Sequence, residues 1–143
     1  MKKERVGYDL DGVICEVRDM GNVSYRRLNG AQRREYIVNK INHYKNAKVL
    51  NRPIERRFYI ITGRTEKYAQ LTIDWLRENN IVPIKLFINM VGGRTQDHIK
   101  HKLDTINELK ITKYYEDSKR VYSKLKKECK HTEIIYVENG EIR

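Results

Sequence analysis

Long apolar runs and export signals are missing from this chain of 143 residues. It contains no run of about 18 apolar residues, so the sequence predicts no membrane-spanning helix. The first five residues, Met1-Lys2-Lys3-Glu4-Arg5, lack the apolar stretch of a signal peptide and lead directly into a predicted strand. We therefore expect a cytoplasmic protein that does not associate with a membrane.

Cysteine is also scarce. The two cysteines, Cys15 and Cys129, lie far apart and form no CxxC or Cys/His pattern, so we expect reduced thiols. His98 and His101 lie three residues apart on a predicted helix but lack further ligands for zinc. The phosphate-binding patterns GxxxxGK[ST] and GxGxxG are absent. No repeat, low-complexity tract or linker interrupts the chain, which predicts one domain over residues 1–143.

The charge is strongly of one sign, with 30 Lys and Arg against 19 Asp and Glu and a net charge of +11. A basic balance favours anionic partners, such as phosphorylated substrates or nucleic acid. Most of these basic residues are scattered beside acidic ones, however, and no basic stretch of five to eight residues stands out. The charge is therefore compatible with nucleic acid without requiring it, and the oligomeric state stays open.

Apolar, β-branched runs alternate with segments of helical periodicity along the chain. We predict helices over residues 31–46, 66–79, 95–109 and 118–127, and strands over 6–10, 57–61, 84–88, 113–116 and 133–137. This alternation is typical of an α/β fold, a three-layer Rossmann-like parallel sheet of about five strands with helices on both faces. Residues 14–52 leave room only for a flap and a minimal cap insert of one or two helices.

Polar residues lie at the ends of three of the predicted strands. In parallel sheets, ligands bind at the carboxyl ends of the strands. Those ends carry Asp9 and Asp11, then Thr62-Gly63-Arg64, then Glu116-Asp117, and the helix before the fourth strand carries Lys100 and Lys102. We expect these groups to meet at one edge of the sheet.

The chemistry of such a cluster suits a phosphate and a divalent cation. Mg²⁺ prefers hard oxygen ligands, and Asp9 and Asp117 are the natural ones. A carboxylate beside Mg²⁺ and a lysine stays ionised and can attack phosphorus, which gives an aspartyl-phosphate. Asp11 lies two residues on and points to the same side of an extended segment. It could protonate the leaving oxygen and then activate water, while a threonine hydroxyl and a lysine bind the phosphoryl group.

These motifs resemble those of the haloacid dehalogenase (HAD) superfamily of phosphohydrolases. Asp9-Leu10-Asp11-Gly12-Val13 resembles its first motif, DxDG[TV]. Ile60-Ile61-Thr62-Gly63-Arg64 resembles its second, an apolar strand that ends in Thr or Ser, often as TGR. Lys102 precedes the acidic pair that follows Tyr114-Tyr115, as the lysine of the third motif precedes the fourth. The resemblance covers residues 6–118, in the family's order.

The resemblance implies a site and an activity, a magnesium-dependent phosphatase of the small-cap or capless type. The implied catalytic residues are Asp9 as nucleophile, Asp11 as general acid and base, Thr62 as phosphate ligand and Lys102 as charge stabiliser. Gly12, Gly63 and Arg64 join Thr62 in binding the substrate. The implied magnesium ligands are the Asp9 side chain, the Asp11 carbonyl, Glu116 and Asp117.

Several assignments keep an alternative. Lys100 competes with Lys102 for the third-motif role, and we favour Lys102 because it leads into the apolar face of its helix. Glu116-Asp117 replaces an Asp-Asp pair, so we favour Asp117 as the direct metal ligand, with Glu116 acting through water or as an orienting group. This acidic pair could instead cap the last helix. Arg64 could pair with an acid on the following helix rather than with substrate.

The substrate and the function also have alternatives. In the superfamily that the chain resembles, a large cap typically encloses small metabolites, whereas a minimal cap leaves the site open to a bulky substrate such as a nucleic-acid end, a protein or a lipid-linked sugar. The open site and the basic charge favour a nucleotide or a nucleic-acid end, and a sugar or lipid precursor stays an alternative. Arg18, Arg26 and Arg27 could contact the rest of such a substrate or be surface charges. A phosphoacceptor domain would need an aspartate after the third strand, where this chain has Ile88-Asn89. A non-catalytic nucleic-acid-binding module would show salt-sensitive binding without turnover.

Overall fold

Five parallel strands form the centre of the protein, in a computed structural model that describes residues 3–17 and 25–142. The strands are β1 (Val6–Tyr8), β2 (Tyr59–Thr65), β3 (Lys85–Asn89), β4 (Lys113–Glu116) and β5 (Glu133–Tyr136). They pair in the order β3-β2-β1-β4-β5, and each pairing is parallel. β1 therefore lies at the centre, and its carboxyl end adjoins those of β2 and β4.

Four α-helices connect and cover these strands: α1 (Gly30–Asn46), α2 (Ala69–Glu78), α3 (Thr95–Leu109) and α4 (Lys119–Glu128). Short 3-10 helices at Tyr25–Arg27 and Glu66–Tyr68 precede α1 and α2. Asn29 begins α1 with a capping box, in which its side chain accepts from Gln32 N at 2.9 Å and its own N–H donates to the Gln32 side chain. Among the described helices, none is long and apolar enough to cross a membrane.

Two apolar cores lie on opposite faces of the sheet. Consecutive residues of β2 show the division: Ile60 packs with Trp75 of α2, whereas Ile61 packs with Ile106 of α3. This is the alternation that a strand imposes when both of its faces are covered. The predicted α/β architecture, a five-stranded Rossmann-like parallel sheet with helices on both faces, is confirmed.

The largest difference from the predicted elements concerns the second strand. We expected it to end at Ile61, but β2 continues to Thr65, with an irregular register against β3 between Ile61 and Thr65. The side-chain amide of Asn89 supports the extension by donating to Gly63 O at 3.1 Å. A Thr-Gly pair is typical of a strand end, and pairing with β3 overrides that local signal. Most other element boundaries shift by one or two residues.

Candidate active site and metal centre

Three carboxylates meet where the two central strands end. Asp9 follows β1 directly, Glu116 is the last residue of β4, and Asp117 comes next. The backbone N–H of Asp9 donates to Tyr115 O at 2.9 Å, which holds the two strand ends side by side. One carboxylate oxygen from each of the three acids lies within 4.8 Å of the others. Asp9 and Glu116 are buried, and Asp117 is half-buried.

Gly12 makes room for the third of these acids. Its φ of +82° lies in the left-handed region that favours glycine. A Cβ at this position would lie 1.9 Å from Asp117 Oδ2, which no real contact allows. Ser118, rather than Asp117, caps α4 by accepting from Val121 N at 3.4 Å. The Asp117 carboxylate is therefore free to join the cluster, and Gly12 shapes the space that it occupies.

Lys102 is the cation of this cluster. Its Nζ lies 2.6 Å from Glu116 Oε1 and 3.2 Å from Asp9 Oδ1, with only 4% of its side chain exposed. Lys100 points away, with 64% of its side chain exposed, and pairs with Asp104 on the surface of α3. The structure therefore brings Lys102, and not Lys100, to the strand ends. The same inward face of α3 buries the polar residues His101 and Thr105, which apolar periodicity alone does not indicate.

The electrostatics of the three acids fit a bound cation. Burial and the neighbouring charge of Glu116 raise the pKa of Asp9 well above its usual range. Burial, together with the Glu116 charge, raises the pKa of Asp117 to about 6. Three hard-oxygen donors that repel one another are the set that a divalent cation stabilises. This part of the predicted site is accordingly able to hold a metal ion, whose identity the geometry alone does not specify.

Asp11 is held by an arginine from the neighbouring strand. Arg64 Nε lies 2.9 Å from Asp11 Oδ2, and Arg64 Nη2 lies 2.6 Å from Asp11 Oδ1. The same guanidinium donates to Thr72 Oγ1 at 3.0 Å and stacks over the Tyr44 ring at 3.7 Å. Burial by itself would raise the pKa of Asp11, but these hydrogen bonds and the Arg64 charge outweigh it and hold the pKa below its usual value. Arg64 thus pairs with an acid of the first motif and not with a helix acid.

Thr62 does not reach the open site. It is fully buried, and its Oγ1 accepts from Arg64 N at 3.1 Å. Because β2 continues through this residue, its side chain is enclosed within the packed layers and does not line the cavity. Gly63 does line the cavity, and an added Cβ there would lie 2.5 Å from His98 Nδ1. The structure therefore does not bring the predicted phosphate-binding hydroxyl to the cavity surface, while it does bring Gly63 and Arg64 there.

One cavity of about 440 Å³ opens over these groups. The lining also includes residues that were not predicted to belong to the site, among them Lys40, Tyr44, Tyr68 and His98. Lys40 and Tyr44 are four residues apart on α1, so their helical spacing places them on one face. That spacing is the signal in the sequence that could have found them, and Tyr44 is the only buried residue that the structure describes within α1.

The arginines of the predicted insert are not part of this cavity. Arg26 and Arg27 are exposed and do not line it. Arg18, the third arginine of the predicted insert, lies outside the described residues. The catalytic and binding roles assigned to the site residues remain predictions.

The comparisons with known proteins concern the fold. No protein-family model matches the sequence, and no curated protein matches it. The structure is similar to a chain from the structure of the Pnkp1/Rnl/Hen1 RNA repair complex, with a TM-score of 0.60 and 15% identity over 97% of this chain. A chain from another structure of the Pnkp1/Rnl/Hen1 complex gives a TM-score of 0.58 and 15% identity, again over 97%. This chain spans 43% and 47% of those two chains, so it corresponds to less than half of each.

Proposed function

We propose that the protein is a magnesium-dependent phosphatase of the HAD type that hydrolyses phosphomonoesters through an aspartyl-phosphate. The observation that carries the proposal is the convergence of Asp9, Asp11, Lys102, Glu116 and Asp117 on one cavity at the ends of β1 and β4. Ion pairs that only stabilise the fold do not explain this cluster, because the three carboxylates of Asp9, Glu116 and Asp117 outnumber the single buried cation, Lys102. Such strongly perturbed groups in a cleft are typical of catalytic sites.

Asp9 is the nucleophile in this mechanism. Its Oδ1 accepts from Leu10 N at 2.8 Å and lies 3.2 Å from Lys102 Nζ, so the carboxylate is oriented. The Lys102 charge opposes the rise in the pKa of Asp9 that burial and Glu116 cause, and a cation bound by these acids would further favour the ionised form. It attacks phosphorus, the ester P–O bond breaks, and the phosphoryl group is transferred to the carboxylate. Asp9, Glu116 and Asp117 would hold the magnesium ion, which supplies charge stabilisation at the phosphoryl oxygens.

Asp11 moves the proton. It gives a proton to the leaving oxygen, then takes one from the water that attacks the aspartyl-phosphate and releases inorganic phosphate. In the free protein Arg64 keeps Asp11 ionised, which suits the second step. The first step needs a protonated Asp11, and a substrate phosphate would draw the Arg64 guanidinium away from it. Arg64 therefore joins the substrate-binding group in this proposal.

The favoured substrate is a nucleotide or a nucleic-acid end. The net charge of +11 attracts polyanions. The structural neighbours belong to an RNA repair complex, and that context supports a nucleic-acid substrate for this chain as well. A terminal phosphomonoester on an oligonucleotide, at either the 3′ or the 5′ end, is the substrate class to test first.

The test measures phosphate release with Mg²⁺ and with EDTA from mononucleotides, end-phosphorylated oligonucleotides, sugar phosphates and an aryl phosphate. Asp9→Asn removes the nucleophile, and Asp104→Asn is the matched control because Asp104 lies on the exposed side of α3. We expect release that needs Mg²⁺, disappears in Asp9→Asn and persists in Asp104→Asn. Wild-type rates in Asp9→Asn would overturn the mechanism, and no release from any substrate would favour the binding-module alternative.

A further inference from the structure

Lys40 lies at the mouth of the site and, among the residues that the structure describes, forms no ion pair with an acidic side chain. Its Nζ lies 5.0 Å from the centroid of the Tyr68 ring, 5.8 Å from Tyr44 and 5.9 Å from Tyr36. Within residues 3–17 and 25–142, no carboxylate oxygen lies within the 4.0 Å of an ion pair with it. The three rings hold the ammonium group in place, but they do not neutralise its charge.

The other cations of the cavity are already occupied. Arg64 is paired with Asp11, and Lys102 is paired with Asp9 and Glu116. Lys40 also lines this cavity, on the α1 side, and it is half-buried. A partly desolvated ammonium group with no ion-pair partner in the described part of the chain can bind an anion, because a charge-assisted contact is stronger there than in bulk water.

The position of Lys40 indicates which part of a substrate it meets. Two cations lie near the Tyr44 ring, with the Arg64 guanidinium at 3.7 Å and the Lys40 ammonium at 5.8 Å from its centroid. Arg64 in turn holds Asp11, the group that serves the leaving oxygen in the proposed mechanism. An anion bound at Lys40 would therefore lie near the Arg64–Asp11 pair, where the leaving group is served in the proposed mechanism.

We propose that Lys40, held between Tyr44 and Tyr68, binds a second anionic group of the substrate, the phosphodiester next to the terminal phosphomonoester of a polynucleotide. This inference rests on the proposed phosphatase function and specifies its substrate class. A mononucleotide has no such group, whereas every oligonucleotide end has one. The cavity volume of about 440 Å³ is within the range of sites that enclose a group of this size.

The test compares two dinucleotides that carry the same terminal phosphomonoester and differ only in their linkage. One has the charged phosphodiester, and the other has an uncharged methylphosphonate of nearly the same shape. We expect the wild type to prefer the charged linkage by about 10- to 100-fold in kcat/KM, mainly through KM, as one charge-assisted contact supplies. Lys40→Met should remove this preference. Lys45→Met is the matched control, because it removes an exposed charge from the same helix outside the cavity and should keep it.

Two results would overturn the inference: a wild type that does not distinguish the linkages, or a Lys40→Met variant that loses activity equally on both. A binding arm separates this failure from that of the proposed function. In EDTA, where turnover is not expected, titration of the two dinucleotides by NMR compares their affinities directly. If the wild type hydrolyses nothing, the phosphatase proposal fails. A linkage preference in binding that disappears in Lys40→Met would still support the Lys40 site, and equal affinities would refute it.

Discussion

Replacing Lys102 with methionine tests the buried charge cluster most directly. The substitution keeps the length and apolar stem of the side chain but removes an ammonium group that lies 2.6 Å from Glu116 Oε1 and 3.2 Å from Asp9 Oδ1. Both acids are almost completely buried. Removing one partner of a buried ion pair leaves an uncompensated charge, which typically costs about 3–5 kcal/mol of the free energy of unfolding.

The matched control is Lys100→Met on the same helix. Lys100 and its partner Asp104 are exposed, so this ion pair contributes about 0.3–0.5 kcal/mol. The two substitutions change the net charge equally and lie two residues apart. For a domain of this size, the larger loss corresponds to a decrease in melting temperature on the order of 10 °C, against about 1–2 °C for the control.

The loss in Lys102→Met should also depend on pH. Burial would raise the pKa of Glu116, but the Lys102 charge outweighs it and lowers that pKa. A group with a lowered pKa in the folded state stabilises the protein above its usual pKa, and this contribution is lost as the pH falls. The deficit of Lys102→Met should therefore be largest near pH 8 and smaller near pH 4, where the acids take up protons.

Urea denaturation of the wild type and both variants at pH 8 and pH 4, without metal, gives the six free energies of unfolding that are needed. Millimolar Mg²⁺ should recover part of the loss in Lys102→Met, because a cation bound to the folded state stabilises it. Equal losses for the two variants at pH 8, or a deficit that grows as the pH falls, would refute this account of the cluster.

Three further substitutions test neighbouring features. Gly12→Ala should lower the free energy of unfolding by about 1–3 kcal/mol and weaken the thermal shift caused by Mg²⁺, because its φ of +82° and the nearby Asp117 carboxylate both oppose a Cβ; an unchanged shift would contradict this. Burial raises the pKa of Asp117 to about 6, so the stability that its protonated carboxyl contributes is lost as the pH rises through that value. Denaturation curves of Asp117→Asn, which cannot ionise, should therefore show a more stable metal-free protein than the wild type at pH 8 but not at pH 4. Arg64→Lys cannot keep the bidentate pair with Asp11, so the free energy of unfolding should fall by about 1–3 kcal/mol. An NMR titration of this variant should show the pKa of Asp11 raised. An unchanged pKa would show that the pair with Arg64 does not lower the pKa of Asp11.

The fold could be predicted from sequence because its signals are local. Apolar β-branched runs, helical periodicity and their alternation place the strands and helices and require a covered parallel sheet. The order of the acidic motifs along the chain placed Asp9 and Glu116-Asp117 at strand ends, and the structure has them there. The error at β2 arose where a local turn signal, Thr62-Gly63, is overridden by pairing with β3.

The choice between the two lysines of α3 shows where local signals stop. Residues two apart on a helix point in very different directions, but only the packing of α3 against β2 and α4 decides which of them faces the acids. The apolar periodicity favoured Lys102, and its pair with Glu116 supplies the physical reason for burying it.

What the sequence by itself determined was the α/β fold and the set of polar groups at the ends of its strands, because strand and helix periods and motif order are properties of neighbouring residues. The tertiary structure alone decided how those groups are paired. Arg64 meets Asp11 across 53 positions of the chain, Thr62 is enclosed, and Lys40 reaches the cavity from α1. These contacts depend on how separate elements pack together, and no local pattern in the chain encodes that.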